Sequence, residues 1–147
     1  MLTFKKGDMF KSGCAALVNT VNCVGVMGKG IALQVKKKFP QVFAAYKKAC
    51  SECEVRVGLM HVVPIYTGPT KWVINFPTKD SWEEPSRLEW IFCGLADLRS
   101  TLHNYIIESV AVPPLGCGNG GLDWKQVRPL IEIALANIPT KVEVYEP

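Results

Sequence analysis

Four glycines fall within six positions at Gly116, Gly118, Gly120 and Gly121, between the apolar run Ser109 to Pro113 and a stretch with helical periodicity. Glycine loses more conformational freedom on folding than any other residue, so a cluster this dense requires positive φ angles or a ligand against the main chain. A tight turn needs one or two glycines, which favours the ligand. Gly116-Cys117-Gly118-Asn119-Gly120-Gly121 formally satisfies GxGxxG after a strand and before a helix, the context in which main-chain amides and a helix N-terminus hold pyrophosphate. Only one helix and one strand follow, however, whereas the Rossmann layout places the motif first and builds several βα units after it. What survives is a loop that brings backbone amides close to an anion.

The pattern upstream is an alternation of strand-like and helix-like segments. Leu2-Thr3-Phe4 and Ala15 to Asn19 are short apolar runs, the second ending in the polar, turn-like Asn19-Thr20-Val21-Asn22. Helical stretches run from Ile31 to Phe39 and from about Gln41 to Ala49, interrupted by Pro40. The runs Val55 to Val63 and Trp72 to Phe76 are rich in β-branched and aromatic residues and read as strands about the turn Thr67-Gly68-Pro69-Thr70. Leu88, Ile91, Phe92, Leu95, Leu98 and Leu102 recur at helical spacing, with Pro85 fitting the first turn. Ser109 to Pro113 is a buried strand by composition. Asp123, with Gln126 three residues on, suggests a capping box for a last helix in which Pro129 predicts a kink or irregular turn. Lys141 to Tyr145 closes the chain as a strand. Strands alternating with helices predict an α/β fold, helices covering both faces of a largely parallel sheet.

With 147 residues, 48% of them hydrophobic and 20% charged, the expectation is one globular domain spanning residues 1–147. No signal-peptide pattern is present, and no apolar run approaches the roughly 20 residues of a membrane span. The expectation is a cytoplasmic protein without a membrane association. Six cysteines lack the spacing of a disulfide scaffold and are expected as free thiols. Cys50-Ser51-Glu52-Cys53 is a single CxxC without a second ligand pair, so no metal site is expected. The net charge is +4, with seven lysines (Lys11, Lys29, Lys36, Lys37, Lys38, Lys47, Lys48) and no acidic residue between Asp8 and Glu52. That stretch reads either as a solvated helical face or as a surface that meets phosphates.

A second glycine loop, Gly25-Val26-Met27-Gly28-Lys29-Gly30, also follows a strand and opens a helix. It fails the Walker A pattern because Gly30 follows Lys29. Two such loops at strand carboxyl ends can clasp one diphosphate from both sides, in the place where open α/β sheets bind ligands. Lys79 lies just past a strand beside the same crevice, where an amine partly withdrawn from water can act as a nucleophile. Asp8, after Gly7, fits a turn or cap.

Together, Gly7-Asp8, Ala16 to Asn22, Gly25-Val26-Met27-Gly28-Lys29-Gly30-Ile31-Ala32, Phe76-Pro77-Thr78-Lys79 and Pro113 to Gly118 resemble a macrodomain. Within that superfamily they look most like the branch containing the terminal ADP-ribose glycohydrolase and the DarG antitoxin. The resemblance implies a three-layer α/β/α sandwich with a mixed, largely parallel sheet that binds ADP-ribose in a crest over the sheet, with no further cofactor. It implies that Asp8, with Met9 beside it, meets the adenine and that Asn22 meets the distal ribose. Gly25, Val26, Met27, Gly28, Lys29 and Gly30 would hold the diphosphate and ribose from one side, and Thr78 would line the site. Pro114, Leu115, Gly116, Cys117, Gly118, Asn119, Gly120, Gly121 and Leu122 would face them.

Lys79 matches the catalytic lysine of the branch, with Asn22 orienting the ribose or water. In the human-type glycohydrolase an aspartate of the second loop works with the lysine, and here Gly120 stands at that position. The implied activity is removal of ADP-ribose from a nucleobase of DNA, single-stranded by expectation, by a monomer acting as antitoxin to a DNA ADP-ribosyltransferase toxin. A non-catalytic ADP-ribose reader and a hydrolase of protein-linked or small-molecule ADP-ribose derivatives are the competing implications.

Overall fold

The computed structural model describes residues 1–147. Six strands, β1 (Leu2–Lys5), β2 (Ala16–Val21), β3 (His61–Pro64), β4 (Trp72–Pro77), β5 (Ser109–Val112) and β6 (Lys141–Tyr145), form one sheet in the order β1-β6-β5-β2-β4-β3. Neighbouring strands run parallel except the edge strand β3, which is antiparallel to β4. The sheet is therefore mixed and largely parallel. Five carboxyl ends gather along one edge, and the loops that leave them share a rim.

Helices α1 (Gly30–Lys38) and α2 (Pro40–Ser51) cover one face, and α3 (Leu88–Asn104) and α4 (Trp124–Leu135) cover the other. The period-2 alternation of β2 explains the division. Ala16 and Val18 join Ile91, Leu95, Leu98, Val127 and Ile131 in the core beneath α3 and α4. Val21 points to the opposite face and packs with Val35, Val42 and Tyr46 of α1 and α2. Gly94 brings α3 close to β4, because a Cβ there would lie 2.4 Å from the Phe76 ring. A packed helix thus fixes the strand that leads to Lys79.

Several local expectations are corrected. β2 continues through Val21, since its ladder with β4 pairs every residue from Ala16 to Val21. The polarity of Asn19 is accommodated inside the sheet on one side only: Asn19 Nδ2 donates to Asn75 Oδ1 at 2.9 Å and Asn75 Nδ2 meets His61 Nδ1 at 3.0 Å, while Asn19 Oδ1 is buried without a partner. Residues 55–60 form no strand, and β3 begins only at His61. Pro85 stands outside α3, which starts at Leu88 with Arg87 as its cap residue. Phe92 is 61% exposed rather than on the buried face. Pro129 does not break α4, which runs through it. Asp123 caps α4 by accepting from the Lys125 amide at 3.0 Å, without a reciprocal bond from the Gln126 side chain.

All six cysteines are free, and no three His, Cys, Asp or Glu side chains are grouped to hold a metal ion. No helix is long and apolar enough to cross a membrane.

Candidate functional site

The carboxyl ends of the adjacent strands β5, β2 and β4 open into a cavity of about 830 Å³. That volume lies in the range of small-molecule sites. Its walls are Thr20 to Asn22, the loop from Val26 to Ala32, Thr78 and Lys79, the segment Trp82 to Pro85, and the loop Pro113 to Gly121. Both glycine loops, Asn22, Thr78 and Lys79, singled out in the sequence, thus meet in one crevice. Across it the loops come within contact of each other: a Cβ on Gly30 would sit 3.5 Å from Asn119 Nδ2.

Asn22 is the keystone of the first loop. Its Oδ1 accepts from the amides of Val24 at 3.0 Å and Val26 at 3.4 Å, while its Nδ2 donates to the Val26 carbonyl at 2.9 Å. Behind it the Tyr46 hydroxyl lies 2.8 Å from the Asn22 carbonyl oxygen and 2.7 Å from Oδ1. Burial holds the Tyr46 phenol protonated, far above its ordinary pKa, so it stays a donor. One Nδ2 hydrogen of Asn22 is left for the crevice.

The loop ends at α1, whose cap residue Lys29 makes no side-chain capping bond. The first helical amides are therefore open to the cavity, a ready site for an anion. α4 differs, because Asp123 already occupies its N-terminus.

In the second loop the main chain holds itself. Cys117 N donates to Pro114 O at 3.1 Å, Leu122 N to Gly116 O at 2.9 Å, and Ser86 N to Gly120 O at 2.9 Å. Gly116 (φ +72°) and Gly121 (φ +77°) take the left-handed conformation that favours glycine. Gly120 is required for space: a Cβ would lie 2.4 Å from both the Gly116 carbonyl oxygen and Ser86 Oγ. Gly118 has neither constraint, since a Cβ there would meet nothing within 4 Å. Its side of the loop simply stays bare toward the cavity.

Lys79 is half-buried, its Nζ donating to the Trp82 carbonyl at 3.4 Å and pairing with no carboxylate. The strand exits beside it are tied together, Thr78 N to Val21 O at 2.9 Å and Cys23 N to Asp80 O at 3.0 Å. Glu83 and Glu84 supply the carboxylates of the wall. Asp123 is engaged as the α4 cap. Two thiols sit nearby but are poor nucleophiles: burial, helped by the charges of Asp80 and Asp123, pushes Cys23 and Cys117 each up to about 11. Neither histidine lines the crevice.

Other residues singled out stand differently. Asp8 and Met9 follow β1 on the same rim but outside the cavity lining, with Asp8 accepting from Phe10 N at 2.9 Å and Met9 buried. Gly25, with φ +86°, shapes the first loop from behind the lining, and Met27 is buried beneath it. Leu115 is core, while Cys117 and Leu122 pack against that core below the second loop. Sequence reasoning missed Tyr46, Ser86 and the Trp82 to Pro85 wall. Only the position of Trp82, three residues beyond Lys79, hinted at the last.

Known proteins agree with this geometry. The Macro domain family model matches residues 18–131. The chain is 51% identical over 149 residues to a DNA ADP-ribosyl glycohydrolase of Mycobacterium tuberculosis, covering 100% of this chain and 42% of that relative. It spans under half the length of the DNA ADP-ribosyl glycohydrolases of Mycobacterium tuberculosis and Thermus aquaticus that it matches. The macrodomain of Mycobacterium tuberculosis DarG superposes with a TM-score of 0.97 at 50% identity, covering 100% of this chain and 98% of that one. Thermosipho africanus DarTG in complex with ADP-ribose superposes with a TM-score of 0.95 at 36% identity, covering 99% of this chain and 41% of that one. The sheet, the paired glycine loops and these matches lead to one conclusion: the chain belongs to the macro domain family.

Proposed function

We propose that the protein is a DNA ADP-ribosylglycohydrolase that removes ADP-ribose from a modified nucleobase, acting as the antitoxin to a DNA ADP-ribosyltransferase. The observation that carries the reading is the presence of Lys79 in the same crevice as two glycine loops that face each other. The relatives support the substrate. One is a DNA ADP-ribosyl glycohydrolase, and one solved neighbour is a DarTG bound to ADP-ribose.

In this reading the open amides at the start of α1 receive the diphosphate, and bare Gly118 lets it approach the second loop closely. Asp8 and Met9, further along the rim, meet the adenine. Asn22 holds the first loop in shape and offers its remaining amide hydrogen to the distal ribose. Lys79 is the nucleophile. Its amine lone pair attacks the anomeric carbon, the glycosidic bond to the base breaks, and the base leaves with the electron pair and takes up a proton. Water then adds to the lysine-linked carbon, which releases ADP-ribose and restores the amine. The distal ribose is held in place for both steps, so orientation supplies much of the acceleration.

The steric limit at Gly120 bears on this mechanism. Position 120 cannot carry an aspartate in the loop's present shape, so no acid from that position assists Lys79 here. The experiment that tests the function offers single-stranded DNA, RNA and protein, each bearing ADP-ribose, and measures release. Release from DNA with little from protein is the expected result. Release from none, with ADP-ribose still bound, would make the protein a reader.

A further inference from the structure

We propose that Trp82 is a stacking platform for the nucleobase that flanks the modified nucleotide, which fits the crevice to single-stranded DNA. The proposal rests on the DNA-directed reading above and names how the strand is held.

Four tryptophans are present, and three have partners. Trp72 packs edge-on against Tyr105 at 5.1 Å, Trp124 edge-on against Phe4 at 6.3 Å, and Arg87 lies over Trp90 at 5.0 Å. Trp82 has no ring or cation partner and is 53% exposed at the cavity wall. Leaving a large indole in water forgoes burial that the other three obtain, at least in part, within the protein.

Its location gives the indole a use. The Trp82 carbonyl accepts from Lys79 Nζ at 3.4 Å, so the ring belongs to the residue that touches the reacting amine. The segment is pinned at both ends: Asp80 O accepts from Cys23 N at 3.0 Å, and Ser86 N donates to Gly120 O at 2.9 Å. A tethered aromatic keeps its place when a base arrives and loses little entropy on stacking.

The charge around it sorts the parts of a nucleotide. Glu83 and Glu84 follow Trp82 in the same wall, and neither forms an ion pair. Two free carboxylates repel phosphates, so this wall accepts a base rather than a backbone. Lys29 lines the cavity from the first glycine loop, and the lysines of α1 and α2 follow it in the chain, so positive charge for phosphates comes from that loop and its helices rather than from the Trp82 wall. Stacking on an indole is indifferent to sequence because every base has a π-face, but a base inside a duplex has both faces occupied.

The test compares wild type, Trp82→Ala and Trp82→Phe on an ADP-ribosylated single-stranded oligonucleotide and on the same modified nucleoside without flanking nucleotides. For Trp82→Ala, KM on the oligonucleotide should rise about tenfold or more with kcat nearly unchanged, and Trp82→Phe should recover most of the loss. Any loss of kcat/KM on the nucleoside should be about tenfold smaller than the loss on the oligonucleotide, so the effect tracks the flanking nucleotides. An unchanged KM on the oligonucleotide would overturn the platform, as would an equal loss on both substrates.

A second measurement is independent of turnover, so it separates failure of the platform from failure of the proposed function. Titration with unmodified single-stranded oligothymidylate should quench tryptophan emission in wild type and lose that quenching in Trp82→Ala. Equal quenching in both would overturn the proposal even if hydrolysis of modified DNA is observed. A protein-docking role for the indole would appear as no response to oligothymidylate in wild type, which equally overturns it.

Discussion

The first glycine loop is held from behind by side chains, whereas the second is held by its own main chain. Around Gly25 to Gly30, Asn22 takes two amides and a carbonyl, and Tyr46 braces Asn22 from α2. Around Gly116 to Gly121, backbone bonds close the turn, and Gly120 fills a space with no room for a Cβ. The helices that follow differ as well, α1 lacking a side-chain cap and α4 capped by Asp123. Two loops of similar composition thus differ in how they are built. In the proposed function, one would present free amides to a charge and the other a rigid, bare wall to the ligand.

The contrast can be broken at its most rigid point first. Gly120→Ala should cost about 3 kcal/mol of stability in denaturant or thermal unfolding, because the added methyl meets a carbonyl oxygen and Ser86 Oγ. Wild-type stability there would mean that the second loop is not sterically locked. The side-chain clamp of the first loop should give a smaller loss. Asn22→Ala strands buried partners and should cost about 2 kcal/mol, with weakened ADP-ribose binding in calorimetry. Unchanged affinity would separate the clamp from the ligand.

Gly118→Ala sharpens the comparison most finely. Nothing in the protein opposes the new methyl, so stability should stay within about 0.5 kcal/mol of wild type. ADP-ribose affinity should nevertheless fall about tenfold, or about 1.4 kcal/mol, if the bare backbone exists for the ligand. Equal affinity would return Gly118 to the status of an ordinary loop residue.

These loops also mark the limit of what could be read from the chain. The alternation of strand and helix, the clear periodicity of α3 and the density of glycine before α4 led to the parallel sheet and its crevice. The reason for each glycine did not appear in the sequence. Gly116, Gly118 and Gly120 look equivalent as letters, yet one needs a left-handed φ, one leaves an open face and one avoids a collision. Only tertiary contacts separate them.

The same holds for Asn19 and Thr20, which suggested a turn by polarity. They sit in a strand because the ladder with β4 pairs both residues within the sheet and Asn75 accepts from the Asn19 side-chain amide. Pro85 matched the start of a helix, but α3 begins three residues later, where Ser86 is already tied to the Gly120 carbonyl. Tyr46 lies on the buried face of α2 and gave no sign of its hydroxyl's role at Asn22, more than twenty residues away. Local signals located the site, while its bracing came from contacts distant in sequence.

In the proposed function Lys79 performs the chemistry in a crevice that binds ADP-ribose without it. The direct measurement pairs single-turnover release of ADP-ribose from modified single-stranded DNA with calorimetry of free ADP-ribose, for wild type and Lys79→Ala. Lys79→Ala should release ADP-ribose about 10³-fold more slowly or worse, with ADP-ribose affinity within about threefold of wild type. Release at the wild-type rate by Lys79→Ala would contradict it.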